Sequence, residues 1–213
     1  EIERPGVVGW TAGVRISTFF KSINGYLKQS ADLDLALVIR RKNFRLDIEV
    51  LPFDLGSAIT DHGGDADLLL KPHDRVLVFS LDETIGEDRL TMLKPVVRKL
   101  IQQAQGNEWP RTVALKGAIQ TAGDYPLAAG QTVSSLLALA GGSEYLKFTV
   151  DLDVALILRK DDSLVDIKVI PFSLGDALES PGSEMDLILE PLDQVLILDL
   201  VTGGGSNRSE LLA

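Results

Sequence analysis

The chain has 213 residues, 45% hydrophobic and 24% charged, with a net charge of −10 and no cysteine. That is a globular composition; it excludes disorder, thiol chemistry and cysteine-zinc sites, and the negative charge disfavours nucleic acid as a partner. No apolar run approaches the roughly 18 residues of a membrane span, and no basic-apolar signal stretch opens the sequence.

In chain order, the first landmark is Gly6-Val-Val-Gly-Trp-Thr-Ala-Gly13, in which Val8 and Trp10 alternate onto one face between glycine turns. A short helix follows: Ile16, Phe19, Phe20 and Ile23 recur at helical spacing, and Asn24-Gly25 supplies the stop. Asp32-Leu-Asp-Leu-Ala-Leu-Val-Ile-Arg40 then reads as a strand, with Leu33, Leu35, Leu37 and Ile39 on one face. Its other face, polar at the ends, places Asp32 and Asp34 towards water. Lys42-Asn43 makes a hairpin turn, and the returning strand carries Leu46, Ile48 and Val50 on its inward side until Pro52 stops the pairing. A helical turn starts at the cap-competent Asp54. A glycine-rich loop and short final strands over Leu68 to Leu70 and Val76 to Phe79, joined by a Pro-x-Asp turn, complete the set.

This set occurs twice. Asp32–Arg40 returns about 119 residues later as Asp151-Leu-Asp-Val-Ala-Leu-Ile-Leu-Arg159, and the copies align without a gap from Tyr26 to Phe79, with about 25 identities in about 54 positions. Leu51-Pro52-Phe53 matches Ile170-Pro171-Phe172, and Leu70-x-Pro72-x-Asp74 matches Leu189-x-Pro191-x-Asp193. In the second copy Thr132 is a good N-cap for the helix built on Val133, Leu136, Leu137 and Ala140, whereas the first copy has Arg15 at that place, a poorer cap. Asp161-Asp162-Ser163 is the second hairpin turn, and the strand after it carries Val165, Ile167 and Val169 on its inward side. Between the copies, Asp88 to Gln105 reads as a helix with an apolar stripe of Val96, Val97, Leu100 and Ile101. Pro95 predicts a break at Lys94, with the regular helix starting near Pro95.

The expected organisation is α+β: a first module over 1–85, a linker helix over 86–111, a second module over 112–201 and the start of a following linker over 202–213. Thr112–Gly117 opens the second module, and the first has no counterpart. Asn207-Arg208-x-x-Leu211-Leu212 repeats Asp88-Arg89-x-x-Met92-Leu93 one period on, so the expectation is a segment of a longer array.

Val113-x-Leu115-x-Gly117-x-Ile119-x-x-Ala122-Gly123-x-Tyr125-Pro126-Leu127-x-x-Gly130-x-Thr132-Val133, with Leu136, Leu139, Ala140 and Gly141-Gly142 after it, resembles the SLBB motif, the soluble-ligand-binding β-grasp domain. The Arg159 strand, the Leu-Pro-Phe run and the Leu-x-Pro-x-Asp turn look like SLBB domains of bacterial polysaccharide export proteins. The first copy departs from the motif at Pro5 and at Asn24-Gly25. The resemblance implies two tandem β-grasp domains on the periplasmic face of the outer membrane. It also implies a ring-like homo-oligomer as a secretion channel, with polysaccharide and an inner-membrane export component as partners. Soluble ligand or glycan binding is the alternative it leaves open.

The candidate chemistry is sparse. His62 and His73 are Pro181 and Leu192 in the second copy, so the module needs no imidazole, and two scattered histidines do not make a zinc site. The pairs Asp32/Asp34 and Asp151/Asp153 read as a solvated strand face rather than calcium ligands. Ser57, Ser134 and Ser135 have no base to activate them, and neither Gly63-Gly64 nor Gly203–Gly205 is framed as a phosphate loop. No catalytic set, cofactor or metal is indicated. Among the aromatics, Trp10 aligns with Leu127 and reads as core; Tyr26 and Tyr145 share a position and read as structural. Trp109, beside Pro110 in the linker, is the candidate for a sugar contact. Arg40 and Arg159 are the candidate edge charges for assembly between subunits.

Overall fold

A computed structural model describes residues 6–22, 27–81, 86–104, 108–160 and 166–200. The repeated stretch is an 11-residue strand in both places, β1 (Ala31–Arg41) and β6 (Val150–Lys160). The chain is α+β and divides into two compact units, Glu1–Ile85 and Gly86–Ala213.

In the first unit, helix α1 (Ile16–Ser22) precedes β1, and β2 (Ile48–Phe53), helix α2 (Leu55–Thr60) and β3 (Arg75–Ser80) follow. β1 is the central strand, antiparallel to β2 and β3. The helices cover one sheet face: Ile16 and Phe20 of α1 and Leu55 and Ala58 of α2 pack with Ala36, Val38, Phe53, Leu70 and Val78. Full burial of each large side chain contributes roughly 1.5–3 kcal/mol. α2 starts where its cap predicts, with the Asp54 carboxylate accepting from the Ser57 amide.

The face assignment of the returning strand differs from the sequence reading. Leu51 and Phe53 pair with Val38 and Ala36 and join the helix-covered core, whereas Val50 pairs with Ile39 on the opposite face. Alternation alone cannot tell which apolar set faces the helices when both sets are apolar. The Lys42 amide donates to the Asp47 carbonyl, and antiparallel pairs alternate, so Pro52 falls opposite Leu37 at a non-hydrogen-bonded position. Its missing N–H therefore faces away from β1 and costs the hairpin nothing. Pro171 repeats this opposite Leu156.

The second unit begins with helix α3 (Gly86–Gln103), then β4 (Thr112–Gly117), β5 (Gly123–Pro126), helix α4 (Val133–Leu139), a 3-10 turn (Ser143–Tyr145), β6, β7 (Ile167–Phe172), helix α5 (Leu174–Glu179) and β8 (Gln194–Asp199). The strand order is β5-β4-β8-β6-β7, with β4 and β8 parallel and the other neighbours antiparallel. α4 has the predicted Thr132 cap, closed as a capping box with Ser135, and α5 is capped by Ser173. Gly117 ends β4 at a φ of +96°, where an added Cβ would lie 2.0 Å from the Ile197 carbonyl oxygen, so only glycine lets the two backbones approach. Counterparts of β4 and β5 are absent among the described residues of the first unit, where 6–10 form no strand.

Two expectations for the linker are corrected. α3 runs unbroken through Pro95. It packs on β5 and β4 rather than standing free between modules, with Leu93, Val96, Val97 and Leu100 buried. Leu93 replaces the half-exposed Ile101 in the stripe. The proline removes one donor, but burial of this stripe on both sides of it outweighs the loss. Gly123 permits the close contact with Leu90. Tyr26, Asn24-Gly25, Asp161-Asp162-Ser163 and 202–213 lie outside the described residues.

Candidate functional site

The carboxylates read as a solvated face are divided by the structure. Asp32 and Asp151 are buried, whereas Asp34 and Asp153 are exposed. The Asp32 carboxylate accepts from the Asp34 and Leu35 amides, and the Asp151 carboxylate from the Asp153 and Val154 amides. Both sit where the register shifts, between Ala31 and Ala36 and between Val150 and Ala155. Each therefore caps a bulge in its own strand, and simple alternation fails there. Among the described residues no cluster of three or more metal-ligating side chains forms.

Arg40 and Arg159 are held inside their own units. The Arg159 guanidinium reaches both Asp193 oxygens, the Ile188 carbonyl at 3.0 Å and the Glu190 carboxylate. Its hydrogen bond to Asp193 raises an already high pKa. Arg40 does the same with Asp74 and the Leu69 carbonyl. These are partly buried pairs that tie a strand to the Pro-x-Asp turn, so they are not edge charges on offer to another subunit.

A second pairing escaped the sequence reading. Asp67 accepts from the Ser17 amide and hydroxyl, each at 2.8 Å, and Asp186 accepts from the Ser134 amide at 2.9 Å and hydroxyl at 2.6 Å. The helix thus receives a cap from about 50 residues away, which compensates for Arg15 in the first unit. Arg15 itself donates to the Asp67 carbonyl. The signal was present: Ser17/Ser134 and Asp67/Asp186 are identical in the two copies. Burial alone would raise these carboxyls. For Asp67 the Ser17 and Gly63 amides and the Ser17 hydroxyl, with Arg15 nearby, outweigh it and hold the group below its usual range. For Asp186 the Ser134, Gly182 and Thr132 bonds do so.

His62 and His73 are exposed. His73 has a φ of 67°, as does Leu192 at the same place in the second unit, so this is a turn geometry and not an imidazole site. Ser57 is exposed on α2, and the Ser135 hydroxyl donates to the Thr132 carbonyl. Trp10 is half-exposed rather than core, with its indole N–H donating to the Leu70 carbonyl at 3.0 Å. Its partner Leu127 is buried because β5 and β4 pair just before it. Tyr145 is buried, and burial pushes another core phenol, Tyr125, up to about 12. Trp109 is half-buried and forms no ring pair among the described residues.

One sheet face is partly exposed and apolar. In the second unit Leu156, Leu158, Leu196, Leu198, Ile167 and Val169 lie on the side away from the buried Ala155, Ile157, Val195 and Ile197. Val169 is 45% and Ile167 60% exposed, and the four leucines are partly exposed. Of the six corresponding positions in the first unit, Leu37, Ile39, Val50 and Phe79 are buried, and Ile48 and Leu77 are partly buried. In the second unit Lys116 reaches over the rim of this face to Gln194 at 2.7 Å. Comparison with family models and with curated proteins gives no match to this chain.

Proposed function

We propose that this chain is a non-catalytic scaffold and oligomerisation module of a bacterial polysaccharide-export channel, built from two tandem SLBB-type β-grasp domains on the periplasmic side of the outer membrane. The carrying observation is the partly exposed apolar face of β6, β7 and β8, four of whose six positions the first copy buries. Two further features support the reading. The sequence resembles SLBB domains from Val113 to Gly142, and the shared Arg40/Arg159, Asp74/Asp193 and Asp67/Asp186 are engaged in bonds within each unit.

Sedimentation velocity of the intact chain tests the scaffold part. Concentration-dependent association is expected, with Val169→Glu lowering it at least tenfold and leaving the circular dichroism unchanged. A chain monomeric at every concentration overturns the interaction surface. The export part is tested by deleting the gene in its host: surface polysaccharide should fall, and undiminished polysaccharide overturns it. Saturable glycan binding that Trp109→Ala removes would favour the ligand-binding alternative instead.

A further inference from the structure

The β1–β2 hairpin of the first unit ends in a tip that its repeat does not share. The tip reads Arg41-Lys42-Asn43-Phe44-Arg45-Leu46-Asp47, and the second copy has Lys160-Asp161-Asp162-Ser163-Leu164-Val165-Asp166 in its place. Counting Lys and Arg against Asp, the first tip is +2 and the second −2. The module's fold therefore requires neither the aromatic nor the basic cluster, and the folding role that explains every shared residue does not explain these.

The tip is also firmly built. The Lys42 amide donates to the Asp47 carbonyl at 2.7 Å and closes the loop. Inside it the Asn43 side-chain oxygen accepts from the Arg45 amide at 3.0 Å and the Asp47 amide at 3.2 Å, and its nitrogen donates to the Asp47 carboxylate at 2.7 Å. Leu46 is held at a φ of 61°, a left-handed conformation that leucine enters at a cost. The result is a rigid loop that presents Phe44 fully exposed and Leu46 half-exposed, with Arg41, Lys42 and Arg45 exposed beside them. Nothing within the first unit gains from this exposure.

Two apolar side chains at a loop apex, ringed by three cations, match the chemistry of a bilayer interface. The apolar groups enter the acyl boundary while the cations meet anionic headgroups. Neither a nucleic acid nor a sugar polymer offers an apolar phase for Leu46 to enter. We propose that this hairpin tip docks the protein on an anionic lipid bilayer, with Phe44 and Leu46 inserted and Arg41, Lys42 and Arg45 at the headgroups. This goes beyond the scaffold reading and stands or falls without it.

Vesicle flotation with the intact chain provides the test. Vesicles of phosphatidylcholine alone are compared with vesicles that also contain phosphatidylglycerol, at low and high salt. The chain should float with the anionic vesicles only, and high salt should release it. Phe44→Ser should lower the partition coefficient about tenfold, and Arg45→Gln about fivefold. Both positions are exposed, so these variants keep the fold. Phe148→Ser, at an equally exposed phenylalanine in the second unit, should leave partitioning unchanged. Absence of flotation overturns the proposal, as does equal binding to neutral vesicles. A Phe148→Ser loss as large as that of Phe44→Ser also overturns it, and so does binding to an acidic polysaccharide without binding to vesicles.

Discussion

Arg159 and Asp193 meet at two points: Nε donates to Oδ1 at 2.9 Å and Nη2 to Oδ2 at 2.6 Å, and the carboxylate is fully buried. The same aspartate accepts from the Glu190 amide at 2.8 Å, so it also closes the Pro-x-Asp turn in which Leu192 takes its left-handed conformation. Arg40 and Asp74 repeat the arrangement, with the Lys71 amide in the turn. One carboxylate thus fixes both a strand and the reversal that feeds the next strand.

Arg159→Ala leaves Asp193 buried and unpaired, and should destabilise the second unit by about 3 kcal/mol in urea unfolding. Arg159→Met with Asp193→Leu should recover part of that loss, because no buried charge remains. An Arg159→Ala midpoint equal to that of the parent would show that the pair is solvated in solution.

Stability should fall in acid through the Asp67 and Asp186 anchors. Both carboxyls sit below their ordinary value of 3.8 in the folded chain. A depressed folded value means that the stabilisation is fully present above the ordinary value and is lost as the pH falls through the folded one. Urea midpoints measured from neutral pH downwards should therefore drop below about pH 4, and Asp67→Asn with Asp186→Asn should flatten that drop. An unchanged acid slope in the double variant would place the titration elsewhere.

Gly117→Ala should cost at least about 2 kcal/mol, since the new Cβ meets the Ile197 carbonyl and the residue cannot keep its positive φ without strain. Hydrogen exchange at the Ala118 amide, which donates to the Ile197 carbonyl at 2.8 Å, should speed up in the variant. Unaltered protection there would mean that the two backbones take up the added Cβ without parting.

Much of the fold was legible because the copies check each other. Asp54, Thr132 and Ser173 cap the helices as their residue types dictate, and the period placed β1 and β6 before any geometry was known. What alternation could not supply was parity. With apolar residues on both faces of β1 and β2, only the helices decide that Leu51 and Phe53, and not Val50, join their core. Asp32 and Asp151 were misread for a related reason: a bulge breaks the two-residue period at the residue that caps it. Trp10 was misread because the burial of Leu127 depends on strands that have no described counterpart in the first unit. Asp67 and Asp186 needed distance information, since their serine partners lie about 50 residues away.

A duplicated chain carries a hazard that a single module does not: the edge strand of one copy can meet the edge strand of the other. Pro52 and Pro171 bear on this hazard. Each withholds a donor from the outer edge of its hairpin while leaving the inner ladder whole. A further strand arriving at that edge, whether from the other copy or from a neighbouring chain, finds the ladder interrupted near its end. The two prolines thus act against cross-copy mispairing and fibrillar growth. Pro52→Val and Pro171→Val chains would be the ones to misassemble during refolding.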